Sequence, residues 1–125
     1  MDANIDDMID VYLKKTKSRV EEVRSLIRDI DEPMVKINSR MCINPLCDEE
    51  YFEEHIKKIS NIDKFNIIHG DNTFSNTIAD ENSKIWFIDP RGVFGSTPIY
   101  GDRRYDYAKL YYSCLLYTSP SPRDY

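Results

Sequence analysis

Two short apolar runs, each breaking off at an aspartate, constrain this chain more than any other feature. The runs are residues 66–68 and 85–88; the first leads into His69-Gly70-Asp71 and the second into Asp89. Between them lies a third apolar patch, residues 77–79, followed by the turn-like Asp80-Glu81-Asn82-Ser83. Runs this short, separated by turn chemistry, read as three strands. An aspartate at a strand end has a rigid support and faces an open cleft, which suits metal or proton chemistry. Asn76, five residues after Asp71, adds a neutral oxygen. Two carboxylates and an amide oxygen are hard ligands, the set expected for magnesium carrying a phosphate rather than for zinc.

All four glycines, Gly70, Gly92, Gly95 and Gly101, fall after residue 69, which marks residues 70–101 as the functional loop system. They have neither the G-x-G-x-x-G nor the G-x-x-x-x-G-K spacing that cradles phosphates.

The order His69-Gly70-Asp71-x-x-x-x-Asn76, then Ile88-Asp89, resembles the catalytic and metal-binding segments of the aminoglycoside phosphotransferase and choline kinase-like families. These are small-molecule kinases distantly related to protein kinases. Protein kinases read H-R-D-x-x-x-x-N and D-F-G at the corresponding places. Gly70 in place of the arginine, and Pro90-Arg91-Gly92 after the second aspartate, favour the small-molecule branch. A third segment, Gly101-Asp102-x-x-Tyr105-Asp106-x-Ala108, is similar to G-D-x-x-x-D-[LIY]-A of the same families. The likeness covers residues 66–113 and is loose upstream.

The resemblance implies an α+β fold, the C-terminal lobe of a protein-kinase-like enzyme, mostly helical with short strands carrying the catalytic and metal loops. It implies ATP and Mg2+ as cofactors and the hydroxyl of a small molecule (a sugar, an aminoalcohol or an aminoglycoside-like compound) as acceptor. Asp71 would be the catalytic residue, orienting that hydroxyl and accepting its proton. Asn76 and Asp89 would hold magnesium against the nucleotide phosphates. His69 would brace the loop, and Asp106 would anchor it by accepting backbone hydrogen bonds, with Asp102 in a similar supporting role. Arg91 either contacts a phosphate or pairs with Asp102 or Asp106. A pseudokinase or binding module with the same fold, and a magnesium-dependent phosphohydrolase using the same carboxylates, are the alternatives.

Composition narrows the field further. The net charge is −5 with no basic run, which argues against a nucleic-acid surface. No apolar segment is long enough to span a membrane, and the first ten residues are acidic where a secretory signal would be basic, so a cytoplasmic location is expected. Three cysteines make a poor disulfide framework, and Cys42 and Cys47 lack a nearby histidine at zinc-site spacing; free thiols are expected.

Along the chain, apolar residues at Ile5, Met8, Ile9, Tyr12, Leu13, Val20, Val23, Ile27 and Ile30 follow the helical period. Ser18 with Glu21 suits a capping box that starts a second helix, with residues 14–17 as the joint; one bent helix fits equally. Residues 33–47 show no clean period and read as irregular or weakly extended, and no alternating strand pattern appears before residue 66. Residues 48–60 are helical again, with Asp48 and Glu49 at the positive end of the helix dipole and His55 at the boundary. Residues 105–113 form a last helix with Asp106 in its first turn. From Cys114 to Asp124 the chain, CLLYTSPSPRD, resembles the in-frame translation of a transposase sequencing adapter, with no helical continuation expected. The expected division is therefore a partial lobe over residues 1–113 and a non-native tail over 114–125. A kinase-like enzyme also needs a smaller lobe with a phosphate-gripping lysine. That lobe is expected upstream of Met1, and the chain alone is expected to be inactive.

Overall fold

Apolar spacing of three and four over the first residues produces a helical run, seen in a computed structural model that describes residues 1–44 and 46–116. Residues 117–125, most of the adapter-like stretch, lie outside the described residues. The chain divides into two compact units, residues 5–62 and residues 1–4 with 63 onward.

In the first unit, α1 (Ile5–Ile9) passes through a π-helical turn, Asp10–Lys14, into α2 (Lys15–Glu22). Backbone angles stay helical through Ile9, Lys14 and Lys15, so there is no break at residues 14–17 and Ser18 lies inside α2 rather than capping a new helix. The extra residue of a π turn shifts the helical phase without breaking the run, and it keeps Met8, Val11 and Leu13 buried together. The helix ends at Glu22, short of Ile30. Beyond a 3-10 turn at Arg24–Leu26, the chain doubles back as the Arg24 guanidinium binds both Glu21 and Asp31.

Residues 34–43 form a hairpin where an irregular segment is expected from sequence. β1 (Met34–Ile37) pairs antiparallel with β2 (Arg40–Ile43), Ile37 facing Arg40. Asn38 and Ser39 both take positive φ, 48° and 66°, the geometry of a tight turn whose twist matches the strands. Buried Asn44 closes the hairpin: its N–H donates to Pro33 O at 3.0 Å, its Nδ2 donates to Glu32 O at 2.9 Å and its Oδ1 accepts from Leu46 N. α3 (Glu49–Ile59) then starts on Asp48, whose Oδ1 accepts the Tyr51 N–H at 3.0 Å as an N-cap. It packs on the π turn, and Ile56 is its buried residue.

The second unit is built of short antiparallel pairs around one helix. β3 (Asn66–Ile67) pairs with β8 (Tyr100–Gly101), β4 (Thr77–Ala79) with β5 (Ile85–Phe87), and β6 (Val93–Phe94) with β7 (Thr97–Pro98). Phe94 sits at the centre, edge-on to Phe65 (5.4 Å) and to Tyr105 (5.5 Å). A Cβ on Gly101 would stand 2.6 Å from Ile68 Cδ1 and 2.7 Å from Phe94 Cγ, so this position in β8 admits only glycine without repacking. α4 (Arg103–Leu116) begins two residues earlier than expected because buried Asp102 accepts the Arg104 N–H at 3.0 Å. It also continues three residues past Ser113, into the stretch read as tail.

The described residues thus combine helices with two-stranded antiparallel pairs, an α+β organisation. Among them no helix is long and apolar enough to cross a membrane.

Candidate active site

The loop leaving β3 is held from three directions. Its first peptide groups turn toward α4: Asp106 Oδ2 accepts the His69 N–H and Oδ1 the Gly70 N–H, both at 2.8 Å. Gly70 makes this possible with φ +83°, and a Cβ there would come within 2.9 Å of Arg91 Cβ. From the other side the Arg91 N–H donates to His69 O at 2.8 Å. Further along, a 3-10 turn (Phe74–Asn76) is fixed to α4 by the Phe74 N–H, which donates to buried Ser113 Oγ at 3.2 Å.

His69 spends both ring nitrogens inside the loop. Nε2 lies 2.8 Å from the Ile88 carbonyl, which can only accept, so Nε2 carries the hydrogen. Nδ1 then accepts the Asp71 N–H at 3.2 Å. The ring ties the loop to the end of β5, and neither nitrogen is left for substrate.

Asp71 has a half-exposed carboxylate, 42% accessible, which is engaged at both oxygens. Asn76 Nδ2 donates to Oδ2 at 3.0 Å and to the Asp71 backbone carbonyl at 2.7 Å. Lys109 Nζ stands 3.5 Å from Oδ1. Because the Asn76 nitrogen is committed to Asp71, its Oδ1 is the atom free to face a cation.

Asp89 is brought to the same loop by its neighbours. The Ile88 N–H donates to Asn76 O at 2.9 Å, Ile88 O accepts from His69, and Arg91 is bound to His69 O. Between these anchors Asp89 adopts φ +52°, a left-handed conformation that costs energy for a residue with a side chain. Its carboxylate is exposed and makes no hydrogen bond or ion pair with a described residue. An amide oxygen and a carboxylate are ligand types that magnesium takes, a metal that uses few protein ligands and completes its shell with water and substrate phosphates. Among the described residues no three His, Cys, Asp or Glu side chains are grouped to hold a metal, so a cage made only of such ligands is absent there.

Asp102 takes a different partner from those considered in the sequence. Arg104 Nη2 reaches its Oδ2 at 2.7 Å, while the Arg91 guanidinium forms no ion pair with a described residue. Arg91 instead lays its side-chain carbons against Gly70. Three further participants lie beyond the motif residues: Lys109 and Ser113 on α4, and Asn72, which is buried with its Oδ1 lacking a hydrogen-bond partner among the described residues. The α4 pair leaves a readable trace, since Asp106, Lys109 and Ser113 follow helical steps of three and four.

No protein-family model matches the chain, and no curated protein or solved structure matches it either.

Proposed function

We propose that this chain carries the catalytic and metal loops of a magnesium- and ATP-dependent phosphotransferase acting on the hydroxyl of a small molecule, within a kinase-like C-terminal lobe. One observation carries the reading. Asn76 gives its amide nitrogen to Asp71, and the adjoining Asp89, unpaired among the described residues, stands in a left-handed turn bonded on both sides to the same loop. The loop therefore offers one held carboxylate and one open one.

In this reading the acceptor hydroxyl donates to the Asp71 carboxylate, which fixes its direction and takes its proton as the oxygen attacks the γ-phosphorus of ATP, while the bond from that phosphorus to the β–γ bridging oxygen breaks and ADP leaves. Phosphoryl transfer has a loose transition state, so placement of the hydroxyl matters more than the strength of the base. Asn76 Oδ1 and Asp89 would hold magnesium, which would supply positive charge to the nucleotide phosphates. His69 and Asp106 hold the loop and touch no reactant. In this reading the enzyme works in the cytoplasm, and transfer requires a lobe with a phosphate-gripping lysine to close over the nucleotide.

The test uses the full-length gene product and residues 1–113 alone, with γ-labelled ATP and a panel of sugars, aminoalcohols and aminoglycosides. Magnesium-dependent label in an acceptor is expected from the full-length protein and not from residues 1–113. Label released only as inorganic phosphate would favour the hydrolase, and nucleotide binding without turnover the pseudokinase. Robust transfer by residues 1–113 would overturn the need for a second lobe.

A further inference from the structure

We infer that Lys109 is a positioning residue for Asp71, an inference that rests on the phosphotransfer reading above. Lys109 Nζ is 3.5 Å from Asp71 Oδ1, and its side chain is only 22% exposed. Its ammonium also lies 5.5 Å from the centre of the Tyr105 ring one turn earlier on α4, close enough for a cation–π contact. Covering a lysine this far confines its four-carbon stem, so the charge has a defined place instead of sweeping through solvent.

The face of α4 that carries it explains why that place matters. Asp106, Lys109 and Ser113 recur at helical spacing and meet the loop in order: Asp106 at the N–H groups of His69 and Gly70, Lys109 at Asp71, Ser113 at the N–H of Phe74. The outer two hold backbone on either side of Asp71. Lys109 reaches the side chain itself. With Asn76 on Oδ2 and Lys109 on Oδ1, the carboxylate cannot turn about its terminal bond without losing a partner. An ionised carboxylate has about four acceptor sites, so room remains for the hydroxyl of the acceptor. The lysine sets the plane of the base and thereby the line along which that hydroxyl attacks.

The test pairs a structural readout with a kinetic one, in Lys109→Met and Lys109→Arg variants. In 15N-labelled chain, the side-chain amide of Asn76 reports the bond to Asp71 Oδ2. Its exchange with water is expected to quicken several-fold in Lys109→Met and to return toward the parent value in Lys109→Arg, while the His69 and Gly70 amides held by Asp106 keep their protection. In the full-length protein kcat is expected to fall by ~10–100-fold in Lys109→Met with KM changed less than about two-fold, again recovered by arginine. An Asn76 signal indifferent to the lysine would overturn the positioning role. So would an unchanged kcat. A parent protein that transfers no phosphate while the Asn76 effect holds would instead remove the proposed reaction and leave Lys109 as the group that orients Asp71.

Discussion

The two units of this chain bury different things. In residues 5–62 the buried apolar side chains Met8, Val11, Leu13 and Ile56 outnumber the buried polar ones, Asp7, Asn44 and Ser60, and two of those polar residues finish elements: Asn44 closes the hairpin, and Ser60 Oγ donates to Ile56 O at the end of α3. Among the residues described from 63 to 115, Phe65 and Phe94 are the only buried apolar side chains, against Asn72, Thr97, Asp102 and Ser113. There the backbone is also bent where no tight hairpin turn requires it. Ile99, a β-branched residue, holds φ +66° while its N–H donates to Gly92 O and its carbonyl accepts from Ile68. Left-handed backbone at such a residue costs of order 1–3 kcal/mol and persists only where its surroundings over-determine it. The first unit is organised to bury surface and the second to hold a loop in one geometry.

That contrast can be broken most directly by exchanging loss of function for loss of stability. Asp71→Ala in the full-length protein is expected to lower turnover by ~10²–10⁴-fold, the usual worth of a placed proton acceptor, with little change in unfolding midpoint. Met8→Ala is expected to cost ~2–5 kcal/mol of stability through the cavity it leaves and to spare the chemistry once folded. Denaturant unfolding beside steady-state kinetics checks both. A loss of stability in Asp71→Ala as large as in Met8→Ala would mean that the loop is part of the core.

A smaller effect sharpens the picture. Asp106→Ala leaves the His69 and Gly70 N–H groups without their acceptor, at ~1–3 kcal/mol, and is expected to lower turnover as the loop loosens. Hydrogen exchange at those two amides, read residue by residue, should rise before the rest of the unit opens.

The strands at 66, 77 and 85 and the helix over 49–59 were legible because each carries an apolar run or stripe bounded by turn or capping residues. The 34–43 hairpin was not, since nearly all its side chains are exposed and no apolar alternation marks a buried face. Its turn also lacks the glycine that usually signals such a hairpin. The helical period runs on to Ile30 in the sequence because Val23 and Ile27 keep the spacing, yet both are exposed and the helix ends at Glu22. Asp71, Asn76 and Asp89 could be picked out by spacing, and backbone pairing brings their segments together. Spacing could place Lys109 on the face of α4 shared with Asp106 and Ser113 but could not pair it with Asp71, because a lysine in an amphipathic helix has the same pattern whether it faces water or a carboxylate. That Arg104 rather than Arg91 meets Asp102 is hidden for a related reason: sequence does not say which of two arginines a buried aspartate will meet.

The smallest expected effect lies at the N-terminus, where Asp2 bridges to Lys64 by backbone and by side chain. The hydrogen bond from the Lys64 ammonium, reinforced by its charge, holds the Asp2 carboxyl below its ordinary value of 3.8. A depressed carboxyl stabilises the fold above its unfolded pKa, and that contribution fades as pH falls through the lowered folded value. Both groups are exposed, so added salt should erase it. Acid titration of stability in the parent and in Asp2→Asn, at low and high salt, measures the difference.

The division between a held carboxylate and an open one is tested most directly by equilibrium binding of magnesium-ATP to the full-length protein and its Asp71→Ala and Asp89→Ala variants. Asp71→Ala should bind nearly as the parent does, since the proton acceptor is not needed to hold the nucleotide. Asp89→Ala should lose the magnesium-dependent part of the affinity. Equal losses in the two variants would contradict the account.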